Sequence, residues 1–145
     1  MTSRPPRPLA TLIAVAIAAA ALLAGCAPST RSSSNSTSKF RGDARLAAQT
    51  VEDLQSAAND NDGAKICTQL LSRSFAGRLA QSGRGCPSTA DEAVKDADAI
   101  DMTVEQVSVA GDKATARVRF ETGKTDRRVT FQLVRENRRW KIASV

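Results

Sequence analysis

The chain has no histidine, no tyrosine, one tryptophan and four phenylalanines in 145 residues. Without an imidazole, most zinc sites, Ser-His-Asp triads, Cys-His pairs and histidine general bases are excluded. No Cys-x-x-Cys pair occurs among the three cysteines, and the acidic residues show no EF-hand spacing. A thioredoxin-type redox motif and a calcium loop are therefore absent. Hydrophobic residues make up 41%, too few for a polytopic membrane protein but enough for one domain with a modest core. The formal charge of +6 is mild, and the basic residues are not interleaved with aromatic platforms. No nucleic-acid partner is expected, and no cofactor or metal.

What is present begins with an address. Met1 to Pro8 carry Arg4 and Arg7, and Leu9 to Leu23 are apolar except for Thr11. The two arginines are not adjacent, which argues against a twin-arginine route. The apolar run falls short of the ~20 residues that cross a bilayer as a helix. It ends in Leu23-Ala24-Gly25-Cys26, where small residues ahead of the thiol fit a signal peptidase pocket. This arrangement resembles a bacterial lipobox. The resemblance implies that residues 1–25 are a lipoprotein signal peptide, that Cys26 becomes the acylated mature N-terminus, and that the protein resides on the extracytoplasmic face of the cell membrane. Ala27 follows, so an Asp of the kind that retains lipoproteins at the inner membrane is missing there. Each buried methylene contributes about 0.8 kcal/mol, so one acyl chain holds marginally and two or three hold firmly. The membrane, through lipid on Cys26, is the first expected partner.

Residues 26–41 read as the lipidated cysteine and a flexible linker. Ser29 to Ser38 contain no apolar residue and cannot offset their ordering entropy by burial. Ala27 to Lys39 would reach roughly 20 Å as a coil. The sequon Asn35-Ser36-Thr37 is read as accidental in this setting.

Residues 42–145 read as the folded domain, helices first and strands last. Leu46, Thr50, Val51, Leu54, Ala57 and Ala58 recur at helical spacing behind Asp43, a candidate N-cap. Asn59-Asp60-Asn61-Asp62-Gly63 stops that helix. Ile66, Cys67, Leu70 and Leu71 share a face of a second; Phe75 and Leu79 mark a third, ending at Gly83-Arg84-Gly85. Ser88-Thr89-Ala90-Asp91-Glu92 resembles the capped start of a fourth. Beyond residue 100 the period becomes two. Ile100, Met102 and Val104 alternate, and Val107 and Val109 continue out of phase, predicting a bulge near Glu105-Gln106. Further alternating runs follow turns at Gly111-Asp112, Gly123 to Asp126 and Glu136-Asn137-Arg138. The pattern is an α+β two-layer domain with a four-stranded antiparallel meander.

The order of elements, the hairpin Val109-Ala110-Gly111-Asp112-Lys113-Ala114-Thr115-Ala116 and the closing Arg138-Arg139-Trp140-Lys141-Ile142 resemble the nuclear-transport-factor-like (cystatin-like) superfamily. They are similar above all to its secreted actinobacterial lipoprotein members. The resemblance implies a cone whose concave sheet face and helices enclose a pocket. Met102, Val104, Val118, Phe120, Phe131 and Trp140 would line it, with Ala116, Leu133 and Ile142. Either these side chains fill one another as core, which a domain this small favours, or the cone stays open to an apolar ligand.

Cys67 and Cys86 remain as an even pair in an exported chain, where oxidation is the default. A bridge would close a loop of about 20 residues and contribute on the order of 3 kcal/mol. The opposite sheet face carries Lys113, Arg117, Arg119, Arg128 and Lys141, with Arg135, Arg138 and Arg139 close by. Such a stripe could meet an envelope protein or an anionic polymer, or be an ordinary solvated face partly compensated by Glu105 and Glu121. Asp91, Glu92, Asp96, Asp98 and Asp101 could in principle run acid/base chemistry, although cap and surface roles account for them. The expected function is a non-catalytic binding or interaction module at the bacterial envelope. The alternatives are a carrier of a small apolar ligand or lipid and, behind it, a carboxylate-dependent enzyme.

Overall fold

The computed structural model describes residues 36–95, 100–122 and 125–145. Cys26, the residues 1–25 read as a signal peptide and the expected linker through Asn35 lie outside them, as do Asp96, Asp98, Gly123 and Lys124. A 3-10 turn (Ser36–Lys39) precedes helix α1 (Gly42–Asn59). Helix α2 (Gly63–Lys65) runs on into a π turn (Ile66–Leu70), and α3 (Arg73–Ala80) and α4 (Cys86–Lys95) follow. Strands β1 (Asp101–Ala110), β2 (Lys113–Thr122), β3 (Thr125–Glu136) and β4 (Arg139–Ser144) complete the chain. The sheet order is β1-β2-β3-β4, antiparallel throughout. The fold is α+β, as the switch in hydrophobic period predicts.

Alternation puts one set of strand side chains against the helices. Val104, Val118, Phe131, Leu133 and Ile142 are buried there to 1% exposure or less. The predicted bulge is real. The β1–β2 register shifts between Val104 and Gln106, leaving Glu105 as the extra residue and turning the second half of β1 out of phase. The β3–β4 turn pairs Glu136 with Arg139, so Asn137 and Arg138 alone make the reversal. Both have positive φ, 51° and 65°, as a type I′ turn requires to match the twist of the strands.

The helices differ from expectation at the start of α1 and in their caps. Thr50, Val51, Ala57 and Ala58 are buried as their spacing predicts and Leu54 packs partly buried against the core, but Leu46 is 52% exposed and Ala47 and Ala48 are buried beside it. Small side chains let the helix lie close on the sheet, and alanine carries too weak a hydrophobic signal to displace leucine from a predicted core position. Asp43 is not the N-cap. Arg41 holds that position without a side-chain cap, and Asp43 sits in the first turn, where its carboxylate meets Arg135 at 2.5 Å. Helix α4 starts at Cys86 rather than near Ser88; Pro87 falls in its first turn, where a missing N–H costs nothing.

The π turn ends when the Leu71 N–H donates to the Ile66 carbonyl, 2.9 Å away. Leu71 then bridges Ile142 in parallel, and the Ser72 N–H donates to the Ile142 carbonyl at 2.8 Å. This joins the helical layer to the edge strand β4. The expected Cys67–Cys86 disulfide is present, tying the π turn to the start of α4. The last residues of the Ser/Thr run form the 3-10 turn, held by the Thr37 N–H donating to Glu52 Oε1 at 3.1 Å.

Candidate functional site

Four regions compete for function. The interior face collects the side chains expected to line a cone. Met102, Val104, Val118, Phe131 and Trp140 are buried. Phe120 is half-buried, its ring centroid 5.9 Å from that of Phe131. These groups pack on one another and on the alanine stripe of α1 as one hydrophobic cluster.

The outer face does bring arginines together, but with their own counter-ions. Arg119 stands opposite Arg128 in the β2–β3 register. Arg119 pairs with Glu121 at 2.8 Å and with Asp126 at 3.9 Å. Arg128 reaches across β2 to Glu105 at 3.1 Å, so the bulge residue serves as its partner. Arg117 is exposed beside Gln106 and Thr130, in a polar depression of about 190 Å³. Lys141 does not join this group. Its ammonium donates to the Gln69 carbonyl of the π turn, and burial, with a smaller contribution from Arg139, pushes its pKa down. The alternation of β4 gave its register correctly but could not show that the π turn would capture it.

The acidic cluster is only partly described. Asp91 accepts the Gly63 N–H at 2.7 Å, which makes it a clasp between α2 and α4. Asp101 begins β1 opposite Glu121. Among the described residues no group of acidic or cysteine side chains is arranged to hold a metal ion.

A cleft not foreseen from the sequence lies between α1, the π turn and the β3–β4 turn, with a volume of about 360 Å³. Helix α1 contributes Leu46, Gln49, Thr50 and Asp53, and the α2–π segment Lys65, Gln69 and Leu70. The turn and β4 contribute Arg138, Arg139 and Trp140. Thr50, Leu70 and Trp140 are buried and form the floor. The Thr50 hydroxyl contacts the Leu46 and Trp140 carbonyls at 3.1 and 3.4 Å. Arg135 lies over the Trp140 ring, 4.7 Å from its centroid, while the indole N–H is buried without a hydrogen-bond partner among the described residues. Asp53 keeps a solvent-facing side, yet desolvation raises its carboxyl pKa; the Lys65 charge opposes this and that of Glu52 adds to it. The Arg138-Arg139 pair was visible in the sequence. The walls facing it come from residues some seventy to ninety positions earlier, with no motif to announce them.

No protein-family model matches the chain, and no curated protein sequence matches it. Solved structures do resemble it. A de novo designed protein of the NTF2 fold is 14% identical with a TM-score of 0.50, over 72% of this chain and 87% of that one. An NTF2-like protein of unknown function from Shewanella baltica is 13% identical with a TM-score of 0.49, over 68% and 86%. TsrD from Streptomyces laurentii is 18% identical with a TM-score of 0.43, over 69% and 86%. The likeness to the designed protein supports an NTF2-like fold and carries nothing about ligand or activity.

Proposed function

We propose that this NTF2-like domain is the binding end of a membrane-tethered envelope lipoprotein that holds a partner rather than turning over a substrate. The observation that carries the reading is Leu23-Ala24-Gly25-Cys26 at the end of a short apolar run and ahead of a Ser/Thr-rich spacer. The Cys67–Cys86 disulfide supports it independently, because such bonds persist in oxidising, extracytoplasmic compartments. The non-catalytic part of the reading rests on the missing histidine and on the engagement of Asp91 with a backbone N–H. The carrier reading stands second, because Val104, Val118 and Phe131 occupy the interior face with at most 1% exposure.

Production in a bacterial host that processes lipoproteins, fed a labelled fatty acid, tests the anchor. The label is expected on wild-type protein in the membrane fraction, and mass measurement should place it on an N-terminal Cys26. Cys26→Ser should lose the label and leave the domain folded. An unacylated Cys26 thiol, or processing at another bond, would overturn the proposal.

A further inference from the structure

The cleft between α1, the π turn and the β3–β4 turn differs in charge from the outer sheet face. Three cations line it, Lys65, Arg138 and Arg139, against one carboxylate, Asp53. None of the three takes part in an ion pair among the described residues, whereas Arg119 and Arg128 are both neutralised by neighbours. Two guanidinium groups and an ammonium, offset by one acid, suit a doubly charged oxyanion better than a singly charged one. Arginine also meets phosphate oxygens with two parallel N–H donors.

The cleft has an apolar side as well. Leu70 and Trp140 lie in its floor, and Leu46 is, among the described residues, one of two large apolar side chains left exposed. The volume of about 360 Å³ is at the small end of organic-ligand sites. Arg138 keeps a φ of 65°, which costs a residue with a side chain about 1–2 kcal/mol relative to glycine. That cost sets a charge at the rim of the cleft.

We propose that this cleft binds the phosphate group of a small organic phosphate, with Arg138, Arg139 and Lys65 holding the oxyanion and Leu46, Leu70 and Trp140 contacting the organic part. The proposal rests on reading the domain as a binding module and gives that module a ligand class. Two sources present the same chemistry, a soluble phosphate monoester and the headgroup of an anionic phospholipid near the anchor.

The test uses the full chain carrying Cys26→Ser, which has no acylation site, so its outcome is independent of the anchor. Phenyl phosphate is titrated while calorimetry and the emission of Trp140, the only tryptophan in the chain, report binding. Saturable binding is expected. Arg139→Ala and Arg138→Gly should each weaken it about tenfold, the worth of one charge-assisted hydrogen bond. Asp53→Asn should tighten it about threefold by removing the opposing charge, and Arg117→Ala should leave it unchanged. Arg138→Gly suits the turn and should fold at least as well as wild type, so its loss of binding would not be a loss of structure. Co-sedimentation with phosphatidylcholine vesicles containing phosphatidic acid separates the two sources. Vesicle binding that disappears in the same two arginine variants assigns a lipid headgroup; phenyl phosphate binding without it assigns a soluble ester. Folded protein without saturable phenyl phosphate binding, or binding indifferent to both arginine substitutions, would overturn the proposal and leave the acylation of Cys26 to be judged by its own label.

Discussion

Gly63 sits where α2 touches the start of α4. Its N–H donates to Asp91 Oδ1 at 2.7 Å, and a Cβ added there would meet that oxygen at 2.3 Å and the Pro87 carbonyl at 2.4 Å. Its constraint is close approach rather than a left-handed backbone, since it is not among the glycines of positive φ. Side chains can swing aside, but the Pro87 carbonyl is backbone beside a disulfide-linked residue. Gly63→Ala is therefore expected to destabilise the domain by about 3 kcal/mol in urea unfolding, the size of a severe overpacking. Removing only the hydrogen bond with Asp91→Ala should cost less, about 1–2 kcal/mol. If Gly63→Ala instead unfolds at the wild-type midpoint, the two helices do not approach as described. In the sequence, Asn59 to Gly63 is legible as a helix stop. The second duty of Gly63 is not, because its partner lies 28 residues further on.

Between elements, legibility follows the strength of the periodic signal. The strands were readable to within a residue or two because each has one face in the core, and a slip of one residue would reverse every side chain. Even the bulge at Glu105 showed as a break in the alternation. The first turns of α1 were harder to read, since Ala47 and Ala48 take the buried positions there and leucine outweighs alanine in any hydrophobic pattern, although Leu46 faces the cleft. The disulfide compensates for the weakest part of the helical layer. Helix α3 has no buried residue, and α4 buries only Cys86 and Ala90, so apolar area alone holds these elements poorly. The cysteines are 19 residues apart, and loop closure of that length is worth about 3 kcal/mol in the unfolded chain. Replacing both with serine should lower the stability by about that amount. Hydrogen exchange should locate the loss, with faster exchange in the π turn and α4 and protection retained in β2 and β3. Equal stability of the double variant would mean that packing, not the bridge, holds α4.

At the scale of the molecule, the candidate cleft was invisible for a reason of topology. Its cationic rim is local in sequence, but its other walls belong to α1 and the π turn, and only the docking of those elements on β4 brings them to Arg138 and Arg139. Among the described residues, every buried hydrophobic lies between Ala47 and Ile142. Upstream of α1, Phe40 packs against that core, and the Phe40 N–H donates to the Thr37 carbonyl at 3.1 Å. Thr37 in turn binds Glu52. A fragment starting at Ser36 retains all of these contacts and sets the reference urea midpoint. A fragment starting at Gly42 forfeits the Phe40 contact and the Thr37 hydrogen bond, and should lose about 1–3 kcal/mol. The ordering of these two fragments is the sensitive measurement, because the sequence pattern assigns residues 36–41 to the expected linker and predicts no difference. Should the two fragments unfold at one midpoint instead, the Phe40 contact and the Thr37 hydrogen bond add nothing to the stability, and α1 alone begins the structure that the sheet requires.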